Sequence, residues 1–167
     1  RGEIKTGVAK AATAMFLQEQ QQWGLVQDHH FGTHDHGYKN GEVTECGVKM
    51  YGGHCKTSQQ EIVKTVSDLP AHKKVRIMAN YHFIDAWEGE TGFAKINDQI
   101  VWADTHDAEG EKGISLCGRK DVAEGKFASK IDVTIPHTES FLKLSFGATL
   151  DEHAVSLARL ATQSFAY

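Results

Sequence analysis

The sequence predicts a mainly β fold: an antiparallel two-sheet β-sandwich with jelly-roll-like connections and an N-terminal helical segment. Apolar and polar residues alternate through 73–84, 127–135 and 142–146, and such alternation is typical of strands that turn one face to a core. Sixteen glycines and two prolines suit many tight turns between short strands. No second segment has a strong helical pattern. A single closed barrel is the alternative architecture.

The first 22 residues differ in composition from the rest of the chain. The sequence therefore divides into an N-terminal helical extension or arm over 1–22 and a β-sandwich domain over 23–167. Residues 5–22 are rich in Ala and Gln, which favour a helix. Apolar side chains fall at helical spacing within it: Val8, Ala11, Ala12, Met15 and Phe16. This helix either packs on its own domain or docks on a neighbouring subunit, and a frayed segment is the third alternative.

Nine short strands are predicted after the helix. They are 43–51, 61–67, 73–84, 92–96, 99–103, 114–117, 127–135, 142–146 and 162–167. Asn97 and Asp98 form the centre of a two-residue hairpin turn, since Asn tolerates the positive φ that such turns require. Pro70 and Pro136 each follow an aliphatic strand end and precede another alternating strand. We interpret these two segments as equivalent hairpins.

Charge and hydropathy argue against two classes of protein. The 167 residues carry a formal net charge of −4 and the pI is near 6.2, whereas a general nucleic-acid binder needs a basic face. No apolar run approaches the roughly 20 residues that span a bilayer, so membrane insertion is not expected. The sequence begins at Arg1 without an initiator Met, which indicates that a signal peptide, a propeptide or another segment was removed upstream.

Three cysteines allow two interpretations of the redox compartment. One disulfide with one free thiol fits a secreted domain, and three free thiols fit a cytosolic one. Cys46 and Cys117 each precede a glycine and are the preferred disulfide pair. Cys46 with Cys55 is the second choice.

A histidine-rich segment over 28–37 holds four of the ten histidines. Neutral imidazoles bind zinc, copper and nickel, and on a strand His34 and His36 would share one face. A cupin-type site also needs a nearby Glu and a second histidine motif, but Glu42 lies too far from His36 and no second motif occurs. The flanking glycines favour an exposed loop. A transition-metal site at His34 and His36, and a pH-sensitive contact, are the alternatives.

An acidic segment follows the strand 73–84. Asp85, Glu88 and Glu90 crowd a predicted loop, and close carboxylates repel one another unless a cation or hydrogen-bond donors neutralise them. Calcium is the predicted cation, because it accepts several oxygens in an adaptable loop. Asp104 and Asp107 would add ligands from the adjacent loop. A structural role in which the carboxylates bind backbone amides fits equally well.

Trp87 lies within the same acidic segment. An exposed tryptophan beside carboxylates stacks on sugar rings, so Trp87 is a candidate ligand-binding residue. Tryptophans in sandwiches are more often part of the core.

No catalytic motif stands out. The sequence has no Gly-X-Ser-X-Gly, no His-Glu-X-X-His and no phosphate-binding glycine loop. A glycosidase would use two carboxylates, yet nothing in the order of residues selects a pair. A non-catalytic protein is therefore expected.

Several segments resemble an extracellular or cell-surface β-sandwich module of protists, similar in layout to galactose-binding-like and lectin-like jelly rolls. The segments are 46–54, 69–77, 82–90, 101–102 and 146–152. The resemblance implies an extracellular, non-catalytic module in which Asp85, Glu88 and Glu90 lie where a cation or a glycan binds. The chain departs from the pattern near its end, where 156–161 intervene before the closing strand.

These observations predict a non-catalytic extracellular or cell-surface module with a structural, assembly or surface-binding role. Its expected partners are other protein subunits or surface glycans, in a homo-oligomer or filament. A calcium-dependent, lectin-like carbohydrate binder is the first alternative. A metalloenzyme centred on His34 and His36 is the second.

Overall fold

The computed structural model describes residues 23–53, 60–85, 87–108, 115, 117, 118, 120 and 128–149, together with the backbone of 157–166. The predicted N-terminal helix over 1–22 and most of the predicted strand 114–117 lie outside these residues. Within them, no helix is long and apolar enough to cross a membrane.

Ten strands occur in the described residues, and all their pairings are antiparallel. In chain order they are β1 (Leu25–His30), β2 (Val43–Cys46), β3 (Val48–Gly52), β4 (Ile62–Val66), β5 (Lys74–Ile84), β6 (Glu88–Ile96), β7 (Gln99–Asp107), β8 (Ala128–Pro136), β9 (Leu142–Ala148) and β10 (Leu157–Ala166). A six-stranded sheet has the order β2-β3-β10-β5-β8, with β1 paired to β10. A four-stranded sheet has the order β4-β9-β6-β7.

The two sheets pack face to face around one apolar core, which confirms the sandwich. Alternate residues of the large sheet enter it: Val75, Ile77, Ala79, Tyr81, Phe83 and Ile131. The small sheet contributes Ile62, Val66, Ala94, Ile96, Leu142, Leu144 and Phe146. Period-two alternation in 73–84, 127–135 and 142–146 therefore predicted the core-facing sides of β5, β8 and β9 correctly.

Tyr81 joins the two layers. Its hydroxyl donates a hydrogen bond of 2.7 Å to the carbonyl of Gly147, on the opposite sheet. Its ring lies so close to Gly92 that a Cβ at this glycine would be 2.6 Å from Tyr81 Cε1. Gly92 is required here because real Cβ contacts essentially never come that close.

Five features of the strands differ from the sequence prediction. The predicted strand 43–51 is a hairpin of β2 and β3, because Gly47 turns the chain at φ +68°. β1 was not predicted, and β10 begins at Leu157 rather than at 162, so most of the intervening segment 156–161 belongs to the strand. β6 begins at Glu88 and β7 continues to Asp107, so both strands extend into the predicted acidic loops.

The interpretation of two proline hairpins is wrong. β4 pairs with β9 and β5 pairs with β8, so neither proline segment joins two strands of one sheet. Each segment is a corner at which the chain crosses from one sheet to the other. By contrast, the two-residue turn is confirmed: Asn97 and Asp98 have φ of 47° and 66°, and Ile96 pairs with Gln99.

Cys46 and Cys117 form a disulfide, with their Cα atoms 5.6 Å apart, as preferred from the sequence. Both cysteines pack against Met50 and Ile84 in a second, small apolar cluster. The disulfide therefore ties the end of β2 to the connection between β7 and β8. Cys55 lies outside the described residues.

Candidate functional site

The structure places Asp85 and Trp87 in the interior. Asp85 turns the chain after β5 at φ 62°, and its buried carboxylate lies against Gly118. Trp87 is 0% exposed, its Nε1 donates to the carbonyl of Ile84 at 3.1 Å, and its ring packs edge-on against Phe83. The expectation that Trp87 stacks on a sugar is corrected by this burial, because neither ring face is open to a ligand.

The other four acidic candidates lie on strands instead of in loops. Glu88 is directly opposite Asp107, and Asp104 is opposite Gly92 in the β6–β7 pair. Glu90 Oε2 accepts a hydrogen bond of 2.5 Å from the backbone amide of Glu88, as the structural alternative predicted. Among the described residues, no group of three or more His, Cys, Asp or Glu side chains is arranged so that it could hold a metal ion. Calcium binding stays a prediction.

His34 and His36 lie in the loop between β1 and β2, where the flanking glycines placed them. His34 is exposed, and the centroids of the two rings are 6.4 Å apart. His36 instead stacks on His29 at 4.6 Å, and its Nε2 is 3.2 Å from the carbonyl oxygen of His30. The metal role of His34 and His36 stays a prediction.

A buried polar cluster beneath this loop was missed by sequence reasoning. Lys64 lies on the core side of β4 between Ile62 and Val66. Its ammonium contacts His29 Nε2 at 3.3 Å, donates to the carbonyl of His36 and lies over the Tyr38 ring. Burial lowers the pKa of Lys64, and the charge of Asp35 partly opposes the shift. The signal in the sequence was a lysine at a core position of an alternating strand.

His29 is held neutral by this cluster. Because an ammonium only donates, His29 Nε2 accepts from Lys64, and Nδ1 then carries the hydrogen that faces the Tyr38 hydroxyl at 3.4 Å. Burial, together with the positive charge of Lys64, lowers the pKa of His29 to about 4. The polar groups of this cluster bind one another, which indicates a structural role.

An open pocket of about 310 Å³ lies at the end of the sandwich that carries the corner β8–β9 and the turn β6–β7. Its apolar lining is Ile96, Ile135 and Pro136, and its polar lining is Asn97, Gln99, His137, Thr138 and Glu139. The Asn97 side chain bridges the two segments: its Nδ2 donates to Glu139 Oε2 at 3.0 Å and its Oδ1 accepts from the amide of Lys143 at 2.9 Å.

His137 brings a second corner to this pocket. His72, in the corner β4–β5, has its Nε2 2.6 Å from His137 Nδ1, and the two rings stack with centroids 4.9 Å apart. Burial first, and then the positive charge that His72 can carry, lower the pKa of His137. None of these pocket residues was singled out from the sequence, because the segments that form it are distant in the chain.

Comparisons with known proteins support the fold. No family model matches the sequence, and no curated protein matches it. Among solved structures, dimeric latent PorU from Porphyromonas gingivalis gives a TM-score of 0.54 at 10% identity, covering 87% of this chain and 12% of the PorU chain. At such identity the likeness concerns the fold alone. The match spans only about one eighth of the length of the PorU chain.

Two similar structures are carbohydrate-binding modules. The C-terminal CBM6 of LamC, a marine laminarinase from Zobellia galactanivorans, gives a TM-score of 0.48 at 6% identity, covering 84% of this chain and 98% of the module. A module of Cellvibrio mixtus lichenase 5A in complex with cellotriose gives 0.43 at 10% identity, covering 86% and 98%. Neither likeness supports the protist or the extracellular origin that the sequence resemblance implied.

Proposed function

We propose that this chain is a non-catalytic carbohydrate-binding module and that the pocket beside His137 holds the sugar. The observation that carries the proposal is the pocket lining. Asn97 and Gln99 offer amides, Thr138 a hydroxyl and Glu139 a carboxylate over an apolar floor. Sugar hydroxyls both donate and accept hydrogen bonds, and amide and hydroxyl side chains can do the same.

The lining also favours binding over catalysis. Of the eight residues that line the pocket, Glu139 alone carries a carboxylate, whereas glycoside hydrolysis commonly uses two carboxylates on either side of the bond. The negative charge of Glu139 favours neutral glycans and disfavours acidic ones. Because a disulfide is typical of oxidising compartments, Cys46–Cys117 supports an extracellular or cell-surface location.

Calorimetric titration tests the proposal, with cellotriose and laminarin as neutral probes and polygalacturonate as the acidic one. We expect binding of at least one neutral probe and none of polygalacturonate. Thr138→Val removes one pocket hydroxyl and should weaken binding by about threefold to tenfold, the worth of one net hydrogen bond. Thr65→Val, at an exposed position of β4 outside the pocket lining, is the matched control. Equal affinity in both variants, or no binding of any probe, would contradict the proposal.

Calcium dependence is a second element of the proposal. Glu88 and Asp107 face each other across β6 and β7, and like charges directly opposite are destabilising, so a bound cation would relieve their repulsion. We expect millimolar calcium to raise the melting temperature and Glu88→Gln to reduce that rise. An identical melting curve with calcium and with chelator would contradict it. The subunit or filament role stays a prediction, which the molar mass in solution checks.

A further inference from the structure

Two sheet-crossing corners meet beside the proposed sugar pocket. The corner β4–β5 runs over 67–73 and the corner β8–β9 over 137–141. The amide of His137 donates to the carbonyl of Lys73 at 3.0 Å, and the amide of Leu69 donates to the carbonyl of Ser140 at 2.9 Å. The stacked rings of His72 and His137, which we call the corner histidines, belong to the two corners that these backbone contacts join. The position of His137 in the pocket therefore depends on the opposite corner.

The contacts of the corner histidines define where their hydrogens lie. His72 Nδ1 is 2.6 Å from the carbonyl of Pro70, and a carbonyl only accepts, so Nδ1 carries a hydrogen. In a neutral His72, Nε2 must then accept, and His137 Nδ1 donates to it across 2.6 Å. His137 Nε2 is consequently the nitrogen without a hydrogen, and it is buried with no hydrogen-bond partner among the described residues.

Added protons disrupt this arrangement. A single proton on the pair leaves one hydrogen between the rings and places an N–H at Nε2 of His137, and a backbone hydrogen bond to Phe141 favours this protonated ring. A second proton places two N–H groups against each other across the 2.6 Å contact and two positive charges on stacked rings. Two opposed donors and a close pair of like charges are both unfavourable. The contact between the two rings is therefore destabilised when both are protonated.

Other charged groups lie at this end of the molecule, and one of them affects the protonation of His137. Glu139 lies in the same corner, and its carboxylate favours the proton on His137, although it also accepts from Asn97. On the turn β6–β7, Asp98 pairs with Lys143 of β9 at 2.7 Å.

We propose that the corner histidines form a proton-operated gate on the pocket, which holds His137 in place while they are neutral and releases the bound ligand when both are protonated. The gate extends the proposed function, because it regulates the same pocket. Binding is tight above the ordinary imidazole pKa of 6.5 and weakens in acid. Such a module would hold its glycan at neutral pH and lose it in an acidic environment.

Nitrogen-15 NMR of the whole chain tests the gate without any ligand. Ring nitrogen shifts report the tautomer and the protonation of each histidine, and the side-chain amides of Asn97 and Gln99 report the pocket. We expect the corner histidines to titrate in two coupled steps, one of them below 6.5, and both amides to move with the lower step. In His72→Phe, which keeps a ring for stacking, His137 should titrate in one step.

Calorimetry with laminarin and cellotriose at pH 8 and pH 5 supplies the second readout. We expect affinity to fall by about tenfold or more, within the usual range of coupling between two sites, and His72→Phe to reduce that fall. Equal affinity at both pH values would overturn the gate and leave the proposed function standing. Two-step titration with moved amides but neither probe bound would contradict the proposed function and leave only the proton-dependent movement at His137 standing. Independent single-step titrations with unmoved amides would overturn the gate by themselves.

Discussion

The pKa values of His29 and His137 depend on the side chains that face them. His29 and His137 are both histidines near a core, yet they differ in their neighbours. His29 faces the ammonium of Lys64, whereas His137 faces another imidazole, that of His72. His29 is therefore fixed in the neutral state at physiological pH, while His137 can respond.

His29 makes stability pH-dependent in acid. Its pKa is about 4 in the folded chain and 6.5 as the reference, so the unfolded chain binds more protons between these values and stability falls as pH decreases through them. The expected loss reaches about 3 kcal/mol near the lower pKa. Urea unfolding at neutral and acidic pH should show this loss in the wild type and less of it in His29→Gln. His30→Gln, at an exposed position of the same strand, should behave as the wild type.

Residue-level chemistry also explains what sequence reasoning missed. In the sequence, Asp85 and Trp87 belong to a segment of carboxylates and glycine that predicts a loop. In the structure, Trp87 fills the core and Asp85 is buried against Gly118. His72 and His137 are 65 positions apart, and their contact depends on where two corners cross. No local pattern encodes such a contact.

At the scale of strands, the alternation of apolar and polar residues correctly predicted which side of a strand faces the core. β5, β8 and β9 have one apolar and one polar side, and their core faces followed directly from the sequence. β1 was missed because its buried residue is a histidine and it carries no apolar alternation. The β2–β3 hairpin was read as one strand, since nothing but Gly47 marks the turn.

The packing of β5 against β6 gives a sharp test of the sandwich. In Gly92→Ala the new Cβ would lie 2.6 Å from the Tyr81 ring, and overpacking of this kind typically costs about 1–3 kcal/mol. Gly32→Ala is the matched control, because no atom lies within 4 Å of its added Cβ. Denaturant unfolding should show a loss for the first variant only. Equal stability of both would contradict the close approach of the two sheets.

At the scale of the whole molecule, one covalent link spans much of the chain. The disulfide Cys46–Cys117 closes a separation of 71 residues, and a loop of this length restricts the unfolded chain strongly. The chain-entropy relation gives about 4 kcal/mol of stabilisation. We expect the double variant Cys46→Ser, Cys117→Ser to lose stability on this order in urea unfolding. Cys55→Ser should have little effect, and the reverse ranking would reject the assigned pair.

The last strand occupies an inner position. β10 pairs with β1, β3 and β5, so during synthesis every other strand of the large sheet leaves the ribosome before the strand that joins them. Until β10 emerges, β3 and β5 present open edges to other nascent chains. The large sheet accordingly cannot close until β10 has been synthesised, and the yield of folded protein in cells should depend on how long chaperones protect those edges.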